Sequence, residues 1–198
     1  MNSVSLSSGR KIQKQKTRLK ILNTVQELLK QGKKLSLEDV AKASNISRAT
    51  IYRYFSNIDL LCSEASLELL TNSTENTFLE TQHFPIIDRI LYIQDYFNEL
   101  AINNEAAFRK YLSIYLKEDD SYKTKISKSS KRMAALKLAL IPYRNQIDRD
   151  VYNKLLSVST ALMGIESIIT SKDICNLNNR ETKASLAWGL RIILSSIF

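Results

Sequence analysis

Residues that form tight turns, bind metals or act as catalytic bases are scarce in this chain of 198 residues. It contains four glycines, two prolines, two cysteines and one histidine. So few glycines and prolines disfavour a β-rich fold, which needs many tight turns. Because His83 is the single histidine, a catalytic site that uses two histidines is excluded. Cys62 and Cys175 lie far apart in the sequence without metal-ligand spacing, so we expect reduced thiols, no metal and no cofactor.

Long apolar stretches are also missing. No run approaches the length of a membrane span, and the N-terminus lacks the apolar core of a secretory signal. The sequence contains no nucleophile elbow, phosphate-binding loop or metal motif. We therefore expect a soluble, cytoplasmic protein that is not an enzyme and does not bind a membrane.

Charge is present in excess and is unevenly placed. The net charge is +9, and the first 65 residues hold 12 of the 29 basic and 5 of the 20 acidic residues, which gives that segment +7. An excess concentrated on a small N-terminal segment indicates a polyanionic partner, whereas solubility alone would explain an even excess.

A short amphipathic helix is predicted to begin after Ser36. Leu37, Val40 and Ala41 have the i, i+3, i+4 spacing of one helix face. The Ser36 hydroxyl can accept a backbone N–H at the helix start, and Asp39 occupies the position of the acidic member of a capping box.

A second short helix follows at once. Asn45 tolerates the left-handed conformation of a tight turn, Ser47 offers a second N-cap, and 48–55 can form the helix. Two short helices joined by a turn form a helix-turn-helix, whose second helix enters the major groove of DNA. The alternative is an ordinary amphipathic surface helix with solvated charges.

The chemistry of the second helix suits DNA. No acidic residue lies between Asp39 and Asp59, and most of its polar side chains can donate hydrogen bonds to phosphate or to guanine. The candidate DNA-binding residues are Ser36, Ser47, Arg48, Ala49, Thr50, Tyr52, Arg53 and Tyr54.

Over about 17–61, the sequence resembles the TetR family of bacterial transcriptional regulators. The matching segments are Val40-Ala41, 44–47, Ala49-Thr50, 52–55, 57–59 and Leu60-Leu61. Asn45 and Ala49 stand where the family has glycines, and Ile58 replaces a lysine that commonly contacts phosphate.

The resemblance implies a function as well as a fold. It implies a homodimeric repressor that binds a near-palindromic operator in double-stranded DNA and is released by a small molecule, as yet unidentified. The last two helices would form the dimer interface. An architectural or co-regulatory DNA-binding dimer without an effector remains the alternative.

We predict an all-α protein with three parts. Residues 1–16 are predicted to form a flexible basic arm, 17–62 a three-helix DNA-binding domain, and 63–198 a helical bundle for ligand binding and dimerisation. The first helix is expected at 17–31.

The C-terminal half supplies two further sets of candidates. Apolar stripes are predicted along two long helices at 151–170 and 182–197, each with two partners to pack against. The predicted dimer residues are Leu155, Val158, Leu162, Ile165, Ile169, Leu186, Leu190, Ile193 and Ile197. Aromatic residues and methionines are either ordinary core or walls of a ligand pocket, and the pocket candidates are Tyr96, Phe97, Tyr111, Tyr115, Met133 and Met163.

Overall fold

The computed structural model describes residues 3–31, 35–70, 79–118 and 130–198. The ordered elements in these ranges are helices, and no β-strand occurs among them, which confirms the predicted all-α fold. No helix in the same ranges is both long enough and apolar enough to cross a membrane.

The helices are numbered in chain order. They are α1 (Ser3–Lys30), α2 (Leu37–Ser44), α3 (Arg48–Tyr54), α4 (Ile58–Leu70), α5 (Ile86–Asn103), α6 (Glu105–Tyr115), α7 (Lys131–Ala139), α8 (Arg149–Ala161), α9 (Ile165–Ile169) and α10 (Asn179–Ser195), with a 3₁₀ turn at Ile141–Tyr143 and a π-helical turn at Thr170–Ile174. A further helical turn is present at 79–81.

The chain divides into two compact units. One comprises Met1–Leu70 and Lys110–Lys117, and the other comprises Thr71–Arg109 and Glu118–Phe198. The predicted boundary at residue 62 falls inside α4. The division into a DNA-binding domain and a ligand-binding, dimerising domain remains a prediction.

The core of the first unit joins α1 to the helix-turn-helix. Ile21, Leu22 and Val25 of α1 are fully buried or nearly so, as are residues of the next three helices. Their buried partners are Leu37, Val40, Ala41, Ile51, Phe55, Leu60, Leu61 and Ala65. This burial fixes α2 and α3 on α1 and α4, because each short helix has too few backbone hydrogen bonds to be stable alone.

The first helix begins earlier than predicted. It starts at Ser3 rather than near Thr17, so most of the predicted flexible arm has helical backbone. Lysine, glutamine and arginine favour helix, and no proline lies between 3 and 30 to stop it. A basic composition is as compatible with a solvated helix as with a flexible arm, and it does not distinguish the two.

The core of the second unit lies between α5, α7, α8 and α10. Its buried members include Ile90, Phe97, Leu136, Leu155 and Leu190. The helical periodicity of the sequence places these apolar side chains on the inner faces of the four helices.

The predicted continuous helix at 151–170 is wrong. α8 ends at Ala161, and Gly164 has φ +89°, a conformation that glycine adopts without strain. The N–H of Gly164 donates to Oδ1 of Asn98 (2.8 Å), and Nε2 of Gln94 donates to the carbonyl of Leu162 (2.8 Å). Side chains of α5 therefore bind backbone groups where the helix is interrupted.

The final helix also starts earlier than predicted, at Asn179. Asn178 and Glu181 form a capping box, in which each side chain accepts a hydrogen bond from the other's backbone N–H.

Candidate nucleic-acid interface

The start of α2 is fixed by the capping box that the sequence predicts. The backbone N–H of Ser36 donates to Oδ2 of Asp39 (3.0 Å), and the N–H of Asp39 donates to the Ser36 hydroxyl (3.2 Å). The Ser36 hydroxyl also donates to Asp39, and this bond lowers the pKa of the carboxyl group. Both side chains are therefore engaged in the cap.

The turn between α2 and α3 has the predicted left-handed residue. Asn45 has φ 52° and ψ 44°, and the N–H of Ile46 donates back to the carbonyl of Ala41 (3.2 Å). Ser47 then caps α3 by accepting the N–H of Thr50 (3.3 Å), and its own hydroxyl donates to Oγ1 of Thr50 (3.0 Å). The turn thus sets the angle at which α3 leaves α2.

One face of α3 is buried and the opposite face is exposed. Ile51 is completely buried, whereas Arg48, Ala49, Tyr52 and Arg53 are all exposed. Their spacing of i, i+1, i+4 and i+5 places these four side chains on one face of the helix. We call Arg48, Ala49, Tyr52 and Arg53 the exposed α3 face.

The hydroxyl of Tyr52 is held by a carboxylate that sequence reasoning missed. It donates to Oε1 of Glu38 on α2 (2.7 Å), although half of the tyrosine side chain remains exposed. This bond lowers the pKa of Glu38 and raises that of Tyr52, and the positive charge of Arg48 lowers the Glu38 pKa further. Glu38 is therefore a carboxylate beside the exposed α3 face.

The sequence carries little that would predict the contact between Glu38 and Tyr52. An acidic residue in the first turn of α2 is explained by the helix dipole alone. Its contact with Tyr52 depends on the crossing of α2 and α3, which the sequence does not specify.

The remaining predicted DNA-binding residues are less exposed or already form contacts within the chain. Thr50 and Tyr54 are half-buried, and the Tyr54 hydroxyl donates to the backbone carbonyl of Lys14 on α1 (3.4 Å). Arg53 lies over the ring of Tyr54, with 5.8 Å from its guanidinium carbon to the ring centroid. The structure thus brings four of the eight candidates onto one exposed face and uses the others in caps and packing.

The end of the helix-turn-helix is fastened to α1 and α4. Phe55 is fully buried, and the guanidinium of Arg18 lies 5.0 Å from its ring centroid. Arg18 also forms an ion pair with Glu64 of α4. The position of the exposed α3 face is therefore determined by three other helices.

The predicted pocket residues do not belong to one unit. Phe97 and Met163 are buried in the core of the second unit, and Tyr96 and Met133 pack against it. Tyr111 and Tyr115 instead lie in the first unit, where their rings stack with centroids 6.1 Å apart.

The predicted dimer residues also have different environments. Leu155, Ile165 and Leu190 are buried within a single chain, and their place in a dimer interface stays a prediction. The partly buried members are Leu162, Ile169, Leu186, Ile193 and Ile197. Val158 is exposed, and so are Trp188 and Ile192, which are not among the predicted dimer residues.

Parts of the chain are similar to a known family of domains and to a known protein. Residues 9–57 match a family model described as the helix-turn-helix domain of resolvase. These residues form a helix-turn-helix domain. The chain is also 32% identical over 76 residues to the HTH-type transcriptional regulator SAR0097 of Staphylococcus aureus (strain MRSA252).

That similarity covers 35% of this chain and 40% of the length of the relative. No solved structure matches the chain. Both similarities point to a DNA-binding helix-turn-helix, and neither is specific to the TetR family.

Proposed function

We propose that this chain is a DNA-binding transcriptional regulator of the TetR type. It acts in the cytoplasm as a homodimeric repressor that binds a near-palindromic operator, and a small molecule releases it. The observation that carries the proposal is the exposed α3 face, with Arg48 and Arg53 on a helix anchored by the buried Ile51. The matching family model is a helix-turn-helix domain and the similar protein is named a transcriptional regulator, which favours a binding protein over an enzyme.

The charges of the first unit support a DNA partner. Arg48 and Arg53 can each form paired hydrogen bonds with guanine or bind a phosphate. Lys14, Lys16 and Lys20 are exposed along α1, and they add positive charge to the same unit. Cations of this kind supply the affinity that does not depend on sequence.

A second copy of the chain is proposed to pack on α10. Trp188 is 69% exposed and Ile192 is 51% exposed, and their spacing of i, i+4 places them on one helix face. Ala184 and Ser185 on the same helix are small and exposed, which permits close approach of a partner helix. Two exposed apolar residues of this size are better explained by a partner than by solvation.

An effector site is proposed among the helices of the second unit. Gln94 and Asn98 are buried polar residues in the apolar core. Among the described residues, the hydroxyls of Ser159 and Thr182 are buried and have no hydrogen-bond partner. A mainly apolar molecule with a few polar groups suits such an environment. The architectural dimer without an effector would leave the hydroxyls of Ser159 and Thr182 without a partner.

The proposal is tested by measuring binding of the full-length protein to its own upstream intergenic DNA, with random DNA as control, at two salt concentrations. We expect selective, salt-sensitive binding by the wild type. Arg48→Ala and Arg53→Ala should each weaken it about tenfold or more, because each loses a base or phosphate contact. Arg144→Ala, at an exposed arginine of the second unit, is the matched control.

Equal, weak binding of the wild type to both DNAs would contradict a sequence-specific regulator. Equal losses in all three arginine variants would show that total charge, rather than the exposed α3 face, determines binding. A library of small molecules screened for release of the bound DNA then separates the ligand-controlled repressor from the architectural alternative.

A further inference from the structure

We infer that Glu38 determines base specificity by fixing the hydroxyl of Tyr52 as a hydrogen-bond acceptor toward DNA. The inference rests on the proposed function and assigns a role to a residue outside the recognition helix. It follows from three observations: Tyr52 is half exposed, its hydroxyl donates to Glu38 (2.7 Å), and Glu38 lies beside the exposed α3 face to which Tyr52 belongs.

A tyrosine hydroxyl has a single proton and two lone pairs. Because the proton of Tyr52 is donated to Glu38, only the lone pairs remain for a partner. Phosphate oxygens, guanine O6 and N7, and thymine O4 are all acceptors and therefore mismatch this oxygen. The amino groups of cytosine N4 and adenine N6 are the donors in the major groove. Tyr52 is thus suited to a cytosine or an adenine.

Glu38 reinforces the same preference. Its pKa is lowered by the Tyr52 hydroxyl and by Arg48, so it is ionised at neutral pH and has acceptor oxygens only. A carboxylate at this position repels phosphates and weakens binding to DNA of any sequence. Glu38 therefore reduces affinity for random DNA and increases discrimination between bases.

The two arginines provide the complementary chemistry. Arg48 and Arg53 have donors only, which suit guanine or phosphate. The surface formed by α2 and α3 thus has acceptors at Glu38 and Tyr52 and donors at the arginines. An operator that fits it would place the amino group of a cytosine or an adenine opposite Tyr52 and a guanine or a phosphate opposite an arginine.

A purely structural role for the Glu38–Tyr52 bond is less consistent with the packing. Buried Val40, Ala41 and Ile51 already hold α2 against α3. A hydrogen bond between two side chains accessible to water adds little to that packing.

The test is selection of bound sequences from a library of random DNA duplexes. It uses four full-length proteins: the wild type, Glu38→Ala, Tyr52→Phe and the variant with both changes. Glu27→Ala is the control, because Glu27 is an exposed carboxylate on α1 whose loss changes the net charge equally. Circular dichroism confirms that each variant is folded.

We expect the wild type to select a sequence in which one or more positions are fixed in orientation, with the amino group of cytosine or adenine facing Tyr52. Glu38→Ala and Tyr52→Phe should each reduce discrimination at those positions about tenfold, the value of one good base contact. The double variant should lose no more than either single one. Glu27→Ala should keep the wild-type preference.

The two proposals fail in different ways. If the wild type selects no sequence, the proposed regulator function is contradicted. If it selects a sequence that Glu38→Ala binds with unchanged preference, or if that variant loses affinity equally for all DNAs, only the role of Glu38 is overturned.

Discussion

The side-chain oxygen of Asn98 accepts a hydrogen bond from the backbone N–H of Gly164, with 2.8 Å between the two atoms. Gly164 lies in the interruption between α8 and α9, and Arg132 of α7 donates to the neighbouring carbonyl of Met163. Arg132 also binds both carboxylate oxygens of Glu166, at 2.7 and 2.9 Å. Polar side chains from two helices therefore replace the hydrogen bonds that a continuous helix would form.

Replacing Gly164 with alanine should destabilise the second unit by about 1–3 kcal/mol. The positive φ of this residue is strained for any residue with a Cβ, and the guanidinium of Arg132 would have to move away from the added methyl group. Urea unfolding followed by circular dichroism measures the effect. Gly189 is the matched control, because nothing lies within 4 Å of a Cβ there, and Gly189→Ala should stabilise α10 by about 0.5–1 kcal/mol. Similar losses in both variants would refute the explanation from backbone conformation.

The turn at Asn45 should accept glycine and reject a β-branched residue. Asn45→Gly is expected to keep the stability of the wild type, whereas Asn45→Val should cost about 1–2 kcal/mol in the left-handed conformation. Hydrogen exchange at the amide of Ile46, which bonds to the carbonyl of Ala41, localises the effect to the turn. Equal protection of the Ile46 amide from exchange in Asn45→Gly and Asn45→Val would argue against a cost of placing valine in the left-handed conformation.

Acid should destabilise the second unit through one cluster of ion pairs. Glu105 accepts hydrogen bonds from Lys172 and Arg109, and Arg109 binds both carboxylate oxygens of Asp173 at 2.7 Å. Lys172 and Arg109 lower the pKa of Glu105, and Arg109 lowers that of Asp173. The pKa of each of these carboxyl groups is lower in the folded chain than in the unfolded chain. Their contribution to stability is therefore fully present above the pKa of the unfolded chain and is lost as the pH falls through the pKa of the folded chain.

The measurement is the free energy of unfolding in urea between about pH 6 and pH 3. Stability should decrease toward the acidic end, and Glu105→Gln should lower stability at pH 6 and flatten the decrease. Asp150→Asn removes a carboxylate from a well-exposed pair with Lys154 and should change the slope little. A Glu105→Gln variant with the pH dependence of the wild type would contradict the role of the cluster.

The proposed dimer should be visible through Trp188, the only tryptophan in the chain. Its emission should shift to shorter wavelength as protein concentration rises, because a partner would cover a side chain that is 69% exposed in one chain. Trp188→Glu should yield a monomer in sedimentation experiments and weaken DNA binding, since two half-sites would no longer be bound together. Ile141→Glu, at another exposed apolar residue, should leave the dimer intact. Dimerisation of the Trp188→Glu variant would place the interface elsewhere.

Sequence reasoning was most successful where the deciding interactions are local. The capping box of Ser36 and Asp39, the left-handed Asn45 and the cap at Ser47 all involve residues within a few positions of each other. Their side chains were therefore sufficient to predict the helix-turn-helix. Asn57 likewise caps α4 by accepting the N–H groups of Asp59 and Leu60, and asparagine is favoured at such positions.

Apolar periodicity does not predict where side chains distant in the sequence bind the backbone and interrupt a helix. The apolar stripe along 151–170 continues through Gly164, so it gave no sign of the interruption there. Periodicity also predicts Leu155 and Leu190 as dimer residues; both are buried in their own chain, and their place in an interface stays a prediction. A helix face that is apolar on two sides does not reveal which side faces a partner.

The sequence by itself determined an all-α chain whose basic N-terminal part contains a helix-turn-helix, because helix caps, turn residues and apolar spacing are local properties. Only the tertiary structure decided that Tyr52 bonds to Glu38, that Trp188 is exposed and that the helix breaks at Gly164. These features depend on how separate helices cross and on which backbone groups distant side chains reach. Crossing geometry follows from the packing of whole helices and is not encoded in the spacing within any one of them.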